Sequence, residues 1–241
     1  MKKLYIPLLS LLLVACNNNK VSVPQLKFDG LKGNVASIKD SHFDAEMKFG
    51  DINPGNLDEV IKREYDSDGN LTFEGRYDDD GDMEYETRQS FEKGQWVSSV
   101  FKNRYGDHSN NQRVLERKKN YVKYEVKVGE EVSVYETKYD GLQAKGYSEK
   151  GTLVAEMTFN KKGQLLEQKN YTDDGKMVYG VVQEFDDKGF LVKSTSYGES
   201  WEDSNTFSYK DFDKKGNWLT QIIYDEDGEP EYIVKREISY R

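Results

Sequence analysis

The sequence predicts an all-β fold: an antiparallel meander of repeated hairpin units that forms one long twisted sheet, able to curl on itself. Three observations predict it. A short motif with a glycine at a fixed place recurs with a period of about 12 residues. Polar and apolar residues alternate between its copies, and no stretch after the N-terminal segment keeps a helical period. From this period and usual strand lengths we expect about a dozen strands.

The repeated motif is an aromatic residue, three polar residues, a glycine, any residue and then Leu, Met or Trp. Its period accommodates a strand of about seven residues and a tight turn. The copies begin at Tyr65, Tyr77, Tyr147, Phe159, Tyr171, Phe185 and Phe212, with a variant at Tyr224 that ends in proline and a version at Phe91 that lacks one residue.

The glycine of each copy is expected to close the turn, because a type I turn with a G1 bulge needs a residue at positive φ. Asp and Asn before it favour turns, since their side chains bond their own backbone. These structural glycines are Gly69, Gly81, Gly151, Gly163, Gly175, Gly189, Gly216 and Gly228.

Between the turns, every second residue is apolar, as in Leu153, Ala155, Met157 and Phe159. This alternation is typical of a half-buried strand. The flanking regions are assigned from the same pattern and from turn residues. They predict a first strand at 34–43, a loop at 44–58, a second loop at 104–113, a hairpin at 121–138 turned at Gly129 and a last strand at 232–240.

The N-terminal segment predicts secretion and lipidation. Lys2 and Lys3 precede an apolar run, residues 4–14, which is too short to span a bilayer as a mature helix. Residues 13–16 (LVAC) resemble the bacterial lipobox, in which signal peptidase cuts before a lipidated cysteine. We expect residues 1–15 to be a cleaved signal peptide, 16–24 the lipidated Cys16 and a tether, and 25–241 a single β domain. The alternative is ordinary cleavage that leaves Cys16 as a free thiol.

Lipidation at Cys16 would determine where in the cell the protein is located. A single acyl chain holds a protein weakly on a membrane, and two or more hold it firmly. Asn17, rather than Asp, follows the cysteine, which by resemblance to Gram-negative lipoproteins favours the outer membrane; either leaflet is open. The membrane is therefore one expected partner, through the N-terminal lipid.

The amino-acid composition excludes some classes of binding partner. The formal charge is −9, and loss of residues 1–15, with two lysines, leaves −11. A chain this acidic does not bind nucleic acid through its phosphates. It should also be repelled by anionic headgroups, so we expect the lipid, and not a basic patch, to provide the anchoring. With 13% aromatic residues the chain is a folded protein rather than a disordered one.

The motif resembles the YD repeats of RHS-type proteins and, more loosely, MORN-like repeats, over residues 60–240. The flanking segments, LKGNVASI at 31–38 and VKREISY at 234–240, are similar to those of a group of Gram-negative lipoproteins. In large RHS proteins many such repeats form a closed shell around a toxin. About nine copies here are too few for such a shell, so the resemblance implies a β-meander rather than an activity.

Acidic turns raise the alternative of calcium binding, with Asp66, Asp68, Asp78 and Asp80 as weak candidates. An EF-hand loop needs a bidentate Glu at position 12. Aligning Gly69 to position 6 places Gly75 there. Lysine-bearing copies of the motif show that the turn does not require acids, so we expect turns and no metal site.

No catalytic or cofactor signature is found: there is no GxSxG, HExxH or P-loop, and no cofactor is expected. His42 and His108 are far apart without partner cysteines, which predicts surface or strand-end histidines rather than zinc ligands. Trp201 lies outside the repeat and is the one aromatic residue placed for a ligand such as a carbohydrate, although packing is the simpler interpretation.

Three functions fit these observations. The first is a membrane-anchored envelope lipoprotein that acts without catalysis, as a binding or scaffold module for a protein or glycan partner. The second is an immunity or antitoxin-like lipoprotein, because an acidic repeat protein can neutralise a basic toxin. The third is a hydrolase whose carboxylate pair is hidden among the turn acids.

The lipobox generates the first prediction. In cells fed a fatty-acid analogue, the wild-type protein should take up label and partition into detergent, and Cys16→Ser should do neither, because the modified thiol is absent. Absence of label from the wild type would contradict the lipobox interpretation.

Overall fold

Sixteen antiparallel strands close into a barrel in the computed structural model, which describes residues 30–105 and 110–241. The predicted signal peptide, the tether with Cys16, and His108 lie outside these residues. No helix among the described residues is long and apolar enough to cross a membrane. The strands are β1 (Val35–Lys48), β2 (Asp51–Tyr65), β3 (Leu71–Asp78), β4 (Met83–Glu92), β5 (Gln95–Asn103), β6 (Asn110–Lys118), β7 (Tyr121–Val128), β8 (Glu131–Asp140), β9 (Gln143–Ser148), β10 (Leu153–Phe159), β11 (Leu165–Tyr171), β12 (Met177–Phe185), β13 (Leu191–Tyr197), β14 (Glu202–Phe212), β15 (Trp218–Tyr224) and β16 (Pro230–Tyr240).

The expected open, twisted sheet is wrong, because the sheet closes. Each strand pairs with its neighbours in sequence, and β1 also pairs with β16, from Asp44 opposite Tyr232 to Val35 opposite Tyr240. Closure removes both sheet edges and satisfies backbone groups that an open meander leaves unpaired. The strand number also exceeds the expected dozen, and parts of the predicted loops at 44–58 and 104–113 belong to strands.

The motif turns have one geometry. The eight motif glycines have φ between 79° and 92°. At the first turn Gly69 N donates to Asp66 O (3.1 Å) and Asp66 N donates to Asn70 O (2.9 Å). The Asp66 carboxylate also accepts from the backbone N–H of Asp68 and of Asn70, both at 2.9 Å. The acid of the motif is therefore a turn cap.

The predicted loop at 44–58 is wrong. β1 and β2 run through it and are joined by a two-residue turn, Phe49 and Gly50, with φ of 56° and 86°. Pro54 lies inside β2, opposite Ala45, where the pairing register shifts. Proline is tolerated at such an irregularity, so this breaker residue did not mark the turn. The hairpin at Gly129 is found as predicted, and the predicted loop at 104–113 is shortened because β6 begins at Asn110.

Alternation along each strand defines an inner and an outer wall. On β7 the side chains of Val122, Tyr124 and Val126 are buried, and Lys123 and Lys127 on the other face are not. Because successive strand residues point to opposite faces, the buried set lines the inside. Directly paired residues share a wall, so the registers assign each strand's residues to the inner or the outer wall.

The two ends of the barrel differ. We call the end formed by residues 30–34, by the turns at 66–70, 93–94, 119–120, 141–142, 160–164, 186–190 and 213–217, and by Arg241 the basal rim; the opposite turns form the apical rim. The three buried apolar clusters lie mainly toward the basal rim, although the one on β7 extends to Val126, two residues from the apical end of that strand. They are centred on Leu31, Val35, Ile38 and Tyr65; on Trp96, Val122, Tyr124 and Val126; and on Ala144, Met157 and Phe159.

Gly175 tests the turn geometry. A Cβ at this position meets no atom within 4 Å, so Gly175→Ala changes backbone strain alone. With φ at 82°, we expect a loss of about 1–2 kcal/mol in the free energy of unfolding, measured by urea denaturation. A change within error would show that the turn does not hold its glycine at positive φ.

Candidate functional site

The most buried charges lie where the barrel closes. The Asp40 side chain, on β1, is 4% exposed, and that of Arg236, on β16, is 7% exposed. Arg236 Nε donates to Asp40 Oδ1 and Nη2 donates to Oδ2, both at 2.7 Å. This two-point contact joins the first and last strands across their pairing register, in which Asp40 lies opposite Arg236.

Further contacts hold both partners. The Arg236 guanidinium stacks 3.5 Å from the centre of the Trp218 ring on β15. Arg63, on β2, lies 3.4 Å from Asp40 Oδ2 and donates to Glu74 Oε2 on β3 at 2.5 Å. We call Asp40, Arg63, Glu74, Trp218 and Arg236 the seam cluster.

A second group of charges follows on the same wall. Arg76, on β3, contacts Glu59 on β2 and lies 3.0 Å from Glu84 on β4. Burial raises the pKa of Glu59, and Arg76 opposes that rise. His42 Nδ1 lies 3.5 Å from Glu59 Oε1. Burial lowers the pKa of His42 to about 4, so the imidazole is neutral at pH 7.

This arrangement neutralises its own charges. Each buried acid of the two groups lies within 4 Å of at least one arginine. Buried ions paired in this way are costly to separate, which favours a structural role. Hydrolysis of a glycoside, by comparison, needs one protonated and one ionised carboxyl flanking a cleft. A pair with that arrangement is not found in the seam cluster.

The inner wall from β4 to β15 has a different lining. Its side chains are mostly uncharged polar and aromatic groups, and its charged residues lie near the two ends: Arg117 at the basal end, and Glu131 and Asp203 beside the apical rim. The uncharged lining includes Tyr85, Thr87, Gln89, Ser99, Phe101, Asn110, Gln112, Tyr124, Tyr135, Thr137, Ser148, Gln168, Asn170, Tyr179, Ser194, Ser196, Asn205, Tyr209 and Gln221.

The outer wall of the same strands carries charges of both signs. Ion pairs cross it, as between Arg113 and Glu125 or between Lys145 and Glu156, both at 2.9 Å. A shallow pocket of about 200 Å³ lies around Lys145, Glu156, Glu167 and Lys169. A lipid-facing barrel wall does not tolerate charges at mid-depth, so this wall is suited to water.

The acids proposed as calcium candidates do not come together. Asp66 and Asp68 lie at the basal rim, and Asp78 and Asp80 lie at the apical rim. Asp78 accepts from Asp82 N (2.8 Å) and contacts Arg104. No group of three or more His, Cys, Asp or Glu placed to hold a metal is found within residues 30–105 and 110–241.

The remaining candidates are distributed as follows. Trp201 is 49% exposed in an apical turn, over Gly198, where a Cβ would meet its ring nitrogen. The sequence predicted a surface or strand-end position for His42. Its side chain is instead mostly buried, in the seam region. The motif glycines all lie in turns, away from the inner wall.

Sequence reasoning did not find the seam cluster. The sequence did contain an indication of it. Asp40 lies two positions after Ile38 and Arg236 two positions after Val234, so each charge is on the same strand face as a buried apolar residue, on the inner wall. A charge at a core-facing position of a strand must be paired. In a chain with 44 acids and 35 bases, however, the partner of any one charge cannot be chosen without the register.

Comparison with known proteins gives no family. No protein-family model matches the chain, and no curated protein matches it. A porin-like protein from Bacteroides vulgatus is 13% identical over 87% of this chain and 99% of its own, with a TM-score of 0.43. A porin-like protein from Bacteroides uniformis is 11% identical over 85% and 98%, with a TM-score of 0.37.

A LolA superfamily protein from Nitrosomonas europaea is 5% identical over 90% of this chain and 93% of its own, with a TM-score of 0.26. Similarities at these TM-scores do not establish a shared fold or function. The function is therefore inferred from the residues of this chain.

The seam pair can be tested by Asp40→Asn, which keeps the shape of the side chain and leaves Arg236 without its counter-charge. Loss of one partner of a buried pair should cost about 3–5 kcal/mol of unfolding free energy. Glu237→Gln is the control, because it breaks the exposed contact with Lys39 (2.9 Å) between the same two strands and should cost less than about 1 kcal/mol. If urea denaturation gave the same decrease in unfolding free energy for both variants, the seam pair would contribute no more to stability than the exposed ion pair.

Proposed function

We propose that this protein is a lipid-anchored barrel of the bacterial cell envelope that binds an uncharged, hydroxyl-rich ligand, a neutral glycan, on its inner wall without chemical turnover. The observation that supports this most directly is the separation of chemistry between the two walls. Outside the seam region, charged residues lie on the outer wall or near the barrel ends, and from β4 to β15 the middle of the inner wall is lined mainly by amides, hydroxyls and aromatic rings.

The lining suits hydroxyl-rich ligands. Amide and hydroxyl side chains both donate and accept hydrogen bonds, as sugar hydroxyls do. Stacked aromatic pairs lie on the same wall: Tyr124 with Tyr135 at 5.8 Å between ring centres, and Tyr85 with Phe101 at 5.8 Å. Apolar and aromatic surface combined with a few polar groups is the usual composition of a ligand site.

Several inner-wall polar atoms lack protein partners. Gln89 Oε1, Asn110 Oδ1, Ser148 Oγ and Asn170 Nδ2 are buried and make no hydrogen bond to any described residue. Buried polar groups in folded proteins are nearly always hydrogen-bonded, to protein, water or ligand. All four belong to the inner wall, with Gln89 nearer the basal rim and the other three nearer the apical rim.

The barrel width is compatible with an occupant. Barrels of about eight strands are filled by their own side chains, and those of 16–18 strands enclose a channel. The apolar clusters lie toward the basal rim, which leaves the part of the inner wall nearer the apical rim as the polar region. The ligand would therefore enter from the apical rim.

Two adjacent asparagines on β6 provide a matched test. Asn110 belongs to the inner wall and Asn111 to the outer wall. Titration calorimetry with maltohexaose and chitohexaose should detect binding to the mature chain. Asn110→Ala should weaken it by about 3–10-fold, the value of one neutral hydrogen bond, and Asn111→Ala should not change it.

Two results would overturn the proposal. One is equal weakening by both substitutions, or no binding of either oligosaccharide, which would remove the inner wall as a glycan site. The other is reproducible turnover of a glycoside, ester or peptide that is lost on substitution of a specific pair of carboxylates, which would favour the hydrolase alternative.

A further inference from the structure

The charge of this barrel is divided between its two ends. The apical turns that the structure describes carry twelve acidic and three basic residues, and the basal rim carries five acidic and nine basic residues. The apical turns therefore have a net charge of −9. The other end has a net positive charge.

The positive charge is concentrated on one part of the basal rim. Neighbouring turns at 160–164, 186–190 and 213–217 and the segment 30–34 expose six lysines, which we call the basal lysine patch. Its members are Lys32, Lys161, Lys162, Lys188, Lys214 and Lys215.

The patch is one continuous surface. Gln164 Nε2 donates to Gly189 O (2.7 Å) and Lys162 Nζ donates to Asp187 O (2.9 Å), which joins the first two turns. Asn217 accepts from Lys32 N (2.7 Å) and donates to Lys32 O (2.9 Å), which fixes the N-terminal segment to the third turn. The lysines are therefore held on a rigid base.

The acids of these turns do not cancel the patch. Asp186 and Asp213 are turned inward as caps, accepting from the backbone N–H of Phe190 (2.8 Å) and of Asn217 (2.9 Å). Asp187 is the one exposed acid of these three turns, beside six lysines. Lys32 and Lys162 bond carbonyl oxygens, and Lys215 lies 3.7 Å from the centre of the Tyr240 ring. Within the described part of the chain, no salt bridge involves any of the six lysines.

The chain segment that leads to the predicted lipid anchor joins the barrel beside the basal lysine patch. Gly30 lies beside the patch, so close to Gly189 that a Cβ on it would be 3.8 Å from the carbonyl oxygen. Thirteen residues lie between Cys16 and Gly30, and this segment spans at most about 50 Å when extended. A lipid at Cys16 would therefore limit the distance of this rim from the membrane to about 50 Å.

We propose that the basal lysine patch docks on a membrane surface that carries anionic headgroups, so that the acidic apical rim points away from the bilayer. The attraction is electrostatic, short-ranged and sensitive to salt. This proposal replaces the expectation that anionic headgroups repel the protein, because that expectation used only the net charge of the whole chain. The anchor then acts together with the patch, since one lipid chain and a basic surface bind more firmly than either alone.

The patch can be tested without the lipid. The mature chain from residue 16 with Cys16→Ser is mixed with vesicles of phosphatidylcholine containing phosphatidylglycerol, and binding is measured by co-sedimentation. Lys161→Gln with Lys214→Gln should weaken binding by about 25-fold, at about fivefold for each lysine. The control is Lys150→Gln with Lys176→Gln, two apical lysines, with the same change in net charge.

Support requires that the wild type binds anionic vesicles and not pure phosphatidylcholine, that 0.5 M salt releases it, and that the control binds like the wild type. Equal weakening by the two double variants, binding that does not depend on phosphatidylglycerol, or no binding of the wild type would overturn the proposal. Since these measurements use neither the lipid nor a glycan, they are independent of the proposed function of the inner wall.

Discussion

The pairing of β1 with β16 is the constraint on which the rest of this molecule depends, and the Asp40–Arg236 pair lies at its centre. Two ions buried to this degree are tolerated only as partners. A slip of one residue between these strands would turn Asp40 to the outer wall and leave Arg236 inside without a carboxylate. The pair therefore favours one register for closure, and Arg63 and Trp218 hold its two members in place.

Closure also explains how a chain with 36% hydrophobic residues can fold. An open meander exposes two edges and both faces, and it needs a second layer to cover its apolar side. A closed barrel covers that side with itself. Apolar packing is then required over part of the inner wall, toward the basal rim, and the remaining inner wall is free to carry polar groups. The outer wall carries charges of both signs over most of its surface, and its buried apolar residues include Ile222 and Ile233 on β15 and β16.

Sequence reasoning recovered the local structure because local structure is encoded locally. Each motif turn depends on a glycine and an Asx residue a few positions apart, as at Gly69 and Asp66, and such signals are visible in one copy. Closure depends on residues such as Asp40 and Arg236, which are 196 positions apart. No period in the sequence specifies whether the last strand meets the first. The hairpin at Phe49 was missed for a related reason, because the pairing of β1 with β2 outweighs the breaker signal of Pro54.

The separation of charge follows from the topology in the same way. In an antiparallel meander alternate turns lie at opposite ends, so turn acidity that alternates along the chain becomes a difference between two rims in space. The motif copies with two lysines, at Phe159 and Phe212, both turn at the basal rim, and the acidic copies at Tyr77 and Tyr224 turn at the apical rim; the acidic copy at Tyr65, which turns at the basal rim, is the exception. The net charge of the sequence averages over this difference and so describes neither rim. The odd or even position of a turn along the chain therefore determines which rim receives its charge.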